Sequence, residues 1–207
     1  VILVMLKYLK PMKSRLSIAM TFLFIIISLQ PQAQNVAIKT NLLYDATATI
    51  NAGVEVALAP KWSLDISGNF NAWSFSDGKR WKHWLVQPEL RYWLCREMGG
   101  HFFAFHLLGG QYNVGRVDLY FLSFLGSNFK DFRTLRHQGW YEGAGIGYGY
   151  SWLLSRHWNI EAEIAVGYIH SRYDVYECAG CGKKIETGRH NNYVGPTKAA
   201  VNLIYVF

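Results

Sequence analysis

From residue 36 onward the hydrophobic positions recur every second residue, the period of a strand with one apolar face. Val36, Ile38, Leu42 and Tyr44 alternate with Lys39, Asn41 and Asp45. Ile50, Ala52, Val54, Val56 and Leu58 alternate with Asn51, Gly53 and Glu55, and Trp62, Leu64, Ile66 and Phe70 with Ser63, Asp65, Ser67 and Asn69. Trp84, Val86, Leu90 and Tyr92 alternate with Gln87, Glu89 and Arg91. His101–Tyr112 reads as a strand whose faces the pattern leaves unassigned. In Trp140–Trp152 the residues Ala144, Ile146, Tyr148 and Tyr150 lie opposite glycines at 143, 145, 147 and 149. Trp158–Tyr168 sets apolar positions against Asn159, Glu161 and Glu163, and Tyr193–Phe207 closes the series. The pattern predicts about eight strands of roughly ten residues, enough to cross a bilayer at a tilt.

The connections alternate in length. "APK", "CREMGG" and "LLSRH" are short, whereas "SFSDGKRWKH", Asn113–Gln138 and Asp174–Asn192 are long; "DATAT" is the short exception among the latter. Short turns on one side, long loops on the other and aromatics near strand ends are the habit of outer-membrane barrels. The sequence therefore predicts an all-β fold: a closed antiparallel up-and-down transmembrane β-barrel of about eight strands, both ends periplasmic. The last strand would pair with the first so that no edge lies open in lipid. Tyr205 and Phe207, at the end of an alternating row, resemble the C-terminal aromatic signal read by bacterial barrel-assembly machinery.

The first 34 residues follow a different pattern. Lys13 and Arg15 precede the apolar run Leu16–Leu29, followed by a polar segment with Ala33. That is the anatomy of a secretory signal, too short in its apolar part for a spanning helix. Residues 1–34 are expected to be signal peptide and upstream residues, removed on export, and residues 35–207 the barrel domain. No cysteine follows the apolar run to take a lipid anchor. Loss of Lys7, Lys10, Lys13 and Arg15 takes Lys+Arg from 21 to 17 against 14 acids, so the net charge falls from +7 to +3. The basic pI thus belongs largely to the leader and gives no reason to expect nucleic acid as a partner. A 16% aromatic share with only 17% charged residues also excludes a disordered chain.

The polar rows would face a narrow lumen filled by side chains. Lys39, Arg91 and Lys198 would share it with Glu55, Asp65, Glu89, Glu161 and Glu163 as a structural charge network, because isolated charges there would be costly. Pro88, inside a strand, predicts a bulge or local irregularity. In the long connections, Lys79, Arg80 and Lys82 interleave with Trp81 and Trp84, a pattern suited to lipid headgroups and lipopolysaccharide phosphates. "VDLYFLSFLG", Val117–Gly126, is too apolar for a free loop and predicts an extended hairpin, a fold-back over the mouth or a partner surface. Cys178 and Cys181 suit a small-loop disulfide after export, with free thiols as the second reading and a metal as the least favoured, since a zinc ribbon needs a second pair and only Cys95 is left. No cofactor or metal is expected. Catalytic signals are thin: His170 and Ser171 are adjacent and so point to opposite faces, and Asp77 and His83 share a loop without a third partner.

The segments "VAIKTNLLYDAT", "NAGVEVAL", "WSLDISGNFNAW" and above all "WKHWLVQPELRYW" resemble the domain-of-unknown-function family 3575, small proteins of the Bacteroidetes group. The likeness runs from Val36 to Phe207, and Gln87-Pro88-Glu89-x-Arg91-Tyr92-Trp93 is its most specific part. It implies an outer-membrane-type barrel and supplies no activity, substrate or catalytic residue. Neighbouring surface-fimbria genes in such loci imply an accessory role in fimbrial or envelope assembly. The expected function is a non-enzymatic integral outer-membrane protein, with a lipid-modifying enzyme or a small-solute pore as alternatives. Its expected partners are outer-membrane lipid and lipopolysaccharide, the barrel-assembly machinery, and envelope or fimbrial proteins met by the outer loops.

Overall fold

Among the described residues, eight strands account for nearly all of the regular structure. A computed structural model describes residues 36–74, 79–117, 134–177 and 182–207, all within the compact unit Asn35–Phe207; the leader expected over residues 1–34 lies outside the described residues. The strands are β1 (Val36–Asn41), β2 (Ile50–Ala59), β3 (Trp62–Ser74), β4 (Arg80–Trp93), β5 (Gly100–Gly115), β6 (Arg136–Leu153), β7 (Trp158–Tyr176) and β8 (Lys184–Val206). One short helix, α1 (Leu42–Ala46), follows β1. Every neighbouring pair is antiparallel. β1 also pairs with β8, from Ala37↔Val206 to Asn41↔Asn202, and Phe207 N donates to Val36 O at 3.0 Å. The sheet is therefore a ring in which each strand has two partners. This is the expected all-β, eight-stranded antiparallel arrangement.

Alternation sorts the two faces. Ile38, Val54, Ile66, Val86, Phe105, Ile146, Ile164 and Val194 are exposed on the outer face. Glu55, Asp65, Glu89, Arg91, Glu161 and Glu163 are buried on the inner one. The pattern inverts that of a soluble protein, where large apolar side chains go inside and charges outside. On β5, whose faces the sequence left open, Phe102, Ala104, His106 and Leu108 point inward.

Several expectations are corrected. Leu42–Asp45 does not continue β1: Asn41 turns the chain into α1, its side-chain oxygen accepting from Leu43 N at 3.1 Å as an N-cap. The strands are not uniform ten-residue crossings but run from 6 residues in β1 to 23 in β8. Much of what reads as long outer loop is extended hairpin, since β7 continues to Tyr176 and β8 begins at Lys184. Of Val117–Gly126, all but Val117 lies outside the described residues. His83 sits in β4 rather than in a loop.

Pro88 makes the expected local irregularity, without a bulge. Gln87 and Pro88 drop out of the pairing with β5, yet Val86↔Gly109 and Glu89↔His106 keep one register. Proline only removes a donor there. A bulge falls on β8, where Ala165↔Lys198 is followed by Val166↔Pro196 and leaves Thr197 as the extra residue. A bulge puts two successive side chains on one face. Thr197 Oγ1 lies 3.1 Å from His106 Nε2, and Lys198 Nζ reaches Glu89 at 2.7 Å, so both point inward.

Bare positions on β6 let large neighbours fill the ring. A methyl on Gly149 would strike the Phe102 ring and stand 2.8 Å from Ala162 O. At Gly68 the nearest atom would be Leu85 O at 3.7 Å. Gly149→Ala is expected to destabilise the refolded chain by about 1–3 kcal/mol through overpacking, whereas Gly68→Ala should be neutral or slightly stabilising. Urea unfolding midpoints of the two variants against the parent check this.

Candidate functional site

The inner face of β1–β4, β7 and β8 brings the eight charges named from the sequence into one cluster. Arg91, fully buried on β4, is its hub. Its guanidinium meets Glu89 at 2.7 Å, Glu161 at 2.8 Å, Glu163 at 2.9 Å, Glu55 at 3.0 Å and Asp65 at 3.4 Å. Five donors in a planar fork suit one arginine to several carboxylates at once. Lys39 adds contacts to Glu55 at 2.5 Å and Asp65 at 3.5 Å. Lys198 bridges Glu89 at 2.7 Å and Glu163 at 2.9 Å. Five carboxylates thus face three cations, and His106 Nδ1 stands 3.8 Å from Glu89.

The cluster follows from registers already described. Glu55 pairs with Asp65, Asp65 with Glu89 and Ser63 with Arg91 across β2–β4. Glu161 pairs with Asn202, and Glu163 with Ala200, across β7–β8. The two groups face one another across the ring, so Arg91 spans β4 to β7. Neutral groups complete the shell: Ser63 Oγ donates to Glu55 Oε1 and Asn202 Nδ2 to Glu161 Oε1 at 2.8 Å.

Apolar and polar layers close the space on both sides. Toward the short turns, the Phe102 ring lies under the guanidinium at 4.5 Å and packs on Trp93 with centroids 4.7 Å apart. Trp93 Nε1 donates to Ser63 Oγ at 2.8 Å. The turn after β4 folds inward, with Met98 at a φ of 58°, and Met98 O accepts from Asn159 Nδ2 at 2.8 Å and Ser151 Oγ at 3.3 Å. Toward the other end, a cavity of about 30 Å³ separates the cluster from α1, lined by Asn41, Tyr44, Asp65, Gln87 and Lys198 among others. It has room for about one water-sized guest.

Sequence reasoning missed His106, Trp93, Phe102 and Thr197 as members of this core. Trp93 was legible by extending the Glu89–Arg91 parity two residues. His106 and Phe102 were hidden because β5 is apolar on both faces, and Thr197 because a bulge leaves no periodic trace.

The other named residues separate. Arg80, Lys82 and Trp84 share the outward parity of β4, and Lys79 precedes the strand. Trp81 is a correction: it has the inward parity of His83, Gln87 and Arg91, with its ring edge-on to His83 at 5.8 Å. Tyr205 stacks on His157 at 5.7 Å and meets Phe207 edge-on at 5.1 Å. Cys178, Cys181 and Asp77 lie outside the described residues, and Cys95 is a free, exposed thiol. His170 Nδ1 pairs with Asn192 Oδ1 at 2.8 Å, while Ser171 Oγ donates to Asn191 O at 3.3 Å on the opposite face. Among the described residues no group of three His, Cys, Asp or Glu side chains could hold a metal ion.

The architecture defines a class: an all-β chain whose eight antiparallel strands ring a buried ionic core and turn their apolar side chains outward. The chain belongs to the family described as "Protein of unknown function (DUF3575)", whose model matches residues 19–207. No curated protein and no solved structure matches it.

Removing one partner of a buried ion cluster strands the others without compensation. Arg91→Met should therefore cost about 3–5 kcal/mol of unfolding free energy. Arg91→Lys should recover only part of it, since one ammonium cannot meet five carboxylates. Denaturation of the refolded variants at low and high salt checks both, and the loss should change little with salt because the ions are buried.

Proposed function

We propose that this protein is an integral outer-membrane β-barrel with a non-enzymatic structural or accessory role in the cell envelope, exported by its leader. The observation that carries the reading is the inverted polarity of the ring: ions fully buried inside, large apolar side chains exposed outside. In water such an outer face would be an aggregation liability. In hydrocarbon it is the required surface, and a ring leaves no unpaired backbone edge. Among the described residues no helix is long and apolar enough to cross a membrane; on this reading the strands make the crossing.

The aromatic pattern supports a spanning band. Trp62–Tyr92 and Trp158–Tyr205 pair on the outer face at the short-turn end, with centroids 4.9 and 5.1 Å apart. Phe70, Trp84 and Trp140 are exposed toward the other end. From Tyr92 to Trp84 the rise is about 27 Å along β4, or roughly 20 Å along the axis of a tilted barrel. The Arg91 cluster crosses the lumen inside that band, which favours a plugged barrel over a small-solute pore. The family resemblance adds fimbrial or envelope assembly as the setting of the accessory role, with the long-side hairpins as the contact surface.

Detergent-refolded protein should run differently unboiled and boiled, and the native protein should stay in the membrane pellet through carbonate washing. Release into the aqueous fraction would contradict the reading. In planar bilayers the refolded protein should give no stepwise conductance.

A further inference from the structure

The outer face carries a groove that a plain lipid-facing wall does not need. It lies between Trp84 on β4 and Trp140 on β6 and has a volume of about 410 Å³. Its floor is made of amide side chains, Gln111, Asn113 and Gln138. Gln111 Oε1 accepts from Trp84 Nε1 at 3.4 Å, and Asn113 Nδ2 donates to Gln138 Oε1 at 3.5 Å.

The registers build this region as three rungs of outward side chains. One runs Trp84, Gln111, Trp140, Arg172 and the next Lys82, Asn113, Gln138, Asp174; the outermost runs Arg80, Gly115, Arg136, Tyr176. The groove's own lining holds one lysine, Lys82, and one carboxylate, Asp174, while Arg80, Arg136 and Arg172 stand on the rungs around it. Asp174 is already taken up by Lys184 at 2.6 Å and by Gly188 N at 2.8 Å. The Arg136 guanidinium carbon lies over the Tyr176 ring, 4.0 Å from its centroid. Glu142, one rung below Trp140, faces His170 across the strand pair.

We propose that this groove binds the phosphorylated disaccharide headgroup of an outer-leaflet glycolipid, with phosphates on the flanking cations and sugar on the amide floor between the two tryptophans. The site rests on the outer-membrane reading above. Three features select this ligand over a glycerophospholipid. The cations extend from Lys82 on β4 to Arg172 on β7, three strand spacings or about 14 Å, wider than one phosphate can neutralise. Amide side chains offer both donors and acceptors, as hydroxyls require. The tryptophans give the apolar walls and the interfacial depth at which such a headgroup sits.

Native mass spectrometry of the refolded protein in neutral detergent tests the site. The probes are a hexa-acyl disaccharide lipid with two phosphates, the same lipid with one, and phosphatidylglycerol. One molecule of the two-phosphate lipid should be retained, about tenfold more tightly than the one-phosphate form and more tightly still than phosphatidylglycerol. Lys82→Gln combined with Arg172→Gln should weaken it at least tenfold with an unchanged unboiled gel shift, while Lys61→Gln, at the short-turn end, should have no effect. Equal retention of all three lipids, or no response to the double variant, would overturn the site and leave the membrane reading standing. Release by carbonate, or no gel shift, would remove that reading and this site with it.

Discussion

Arg91 and the five carboxylates around it are the constraint on which the rest of the molecule depends. A guanidinium with no exposure must have every charge it attracts held in place by backbone. Three separate registers provide that: β2–β3–β4 for Glu55, Asp65 and Glu89, β7–β8 for Glu161 and Glu163, and the Thr197 bulge for Lys198. A slip by one residue in any strand would send its charges to the outer face. The cluster is thus weak evidence for stability as such and strong evidence for a single register.

Closure and the plug need each other. The ring gives carboxylates from β2 and β7 a common interior, and the ions give the ring a reason to close at eight strands, where side chains just fill the lumen. Around that core the outer face is apolar in the middle and aromatic toward its ends. Its long-side rungs carry cations and amides rather than more hydrocarbon. The proposed envelope role and the proposed glycolipid site use the two parts of that surface, its apolar band and its polar shoulder, and neither requires the interior to do chemistry.

The sequence disclosed the parts of this structure that obey a period. The parity of Glu55, Glu89, Arg91, Glu161 and Glu163 is plain in the alternation, and all eight expected charges meet in one cluster. The chain was opaque where local geometry overrides the period. Leu42 and Tyr44 alternate like strand residues, but an Asn41 cap followed by a turn makes them helical. Pro88 interrupts one ladder, as its missing donor suggests, but does not shift the register. Thr197 looked ordinary and carries the bulge. Hairpin lengths were underestimated because polar residues in Asp174–Asn192 read as loop, although two paired strands rising past an apolar band can be polar on both faces. Trp81 followed its cluster of cations in composition and departed from it in parity.

The most direct test is a cross-link at the seam. Ile38 and Tyr205 are register partners on β1 and β8. With the three native cysteines replaced, Ile38→Cys with Tyr205→Cys should form a disulfide under mild oxidation and give a shifted, reducible band. Ile38→Cys with Val201→Cys, four residues out of register, should not. If the out-of-register pair cross-links as readily, or if the seam pair stays reduced in folded protein, the sheet does not close as described and the charged interior loses its wall.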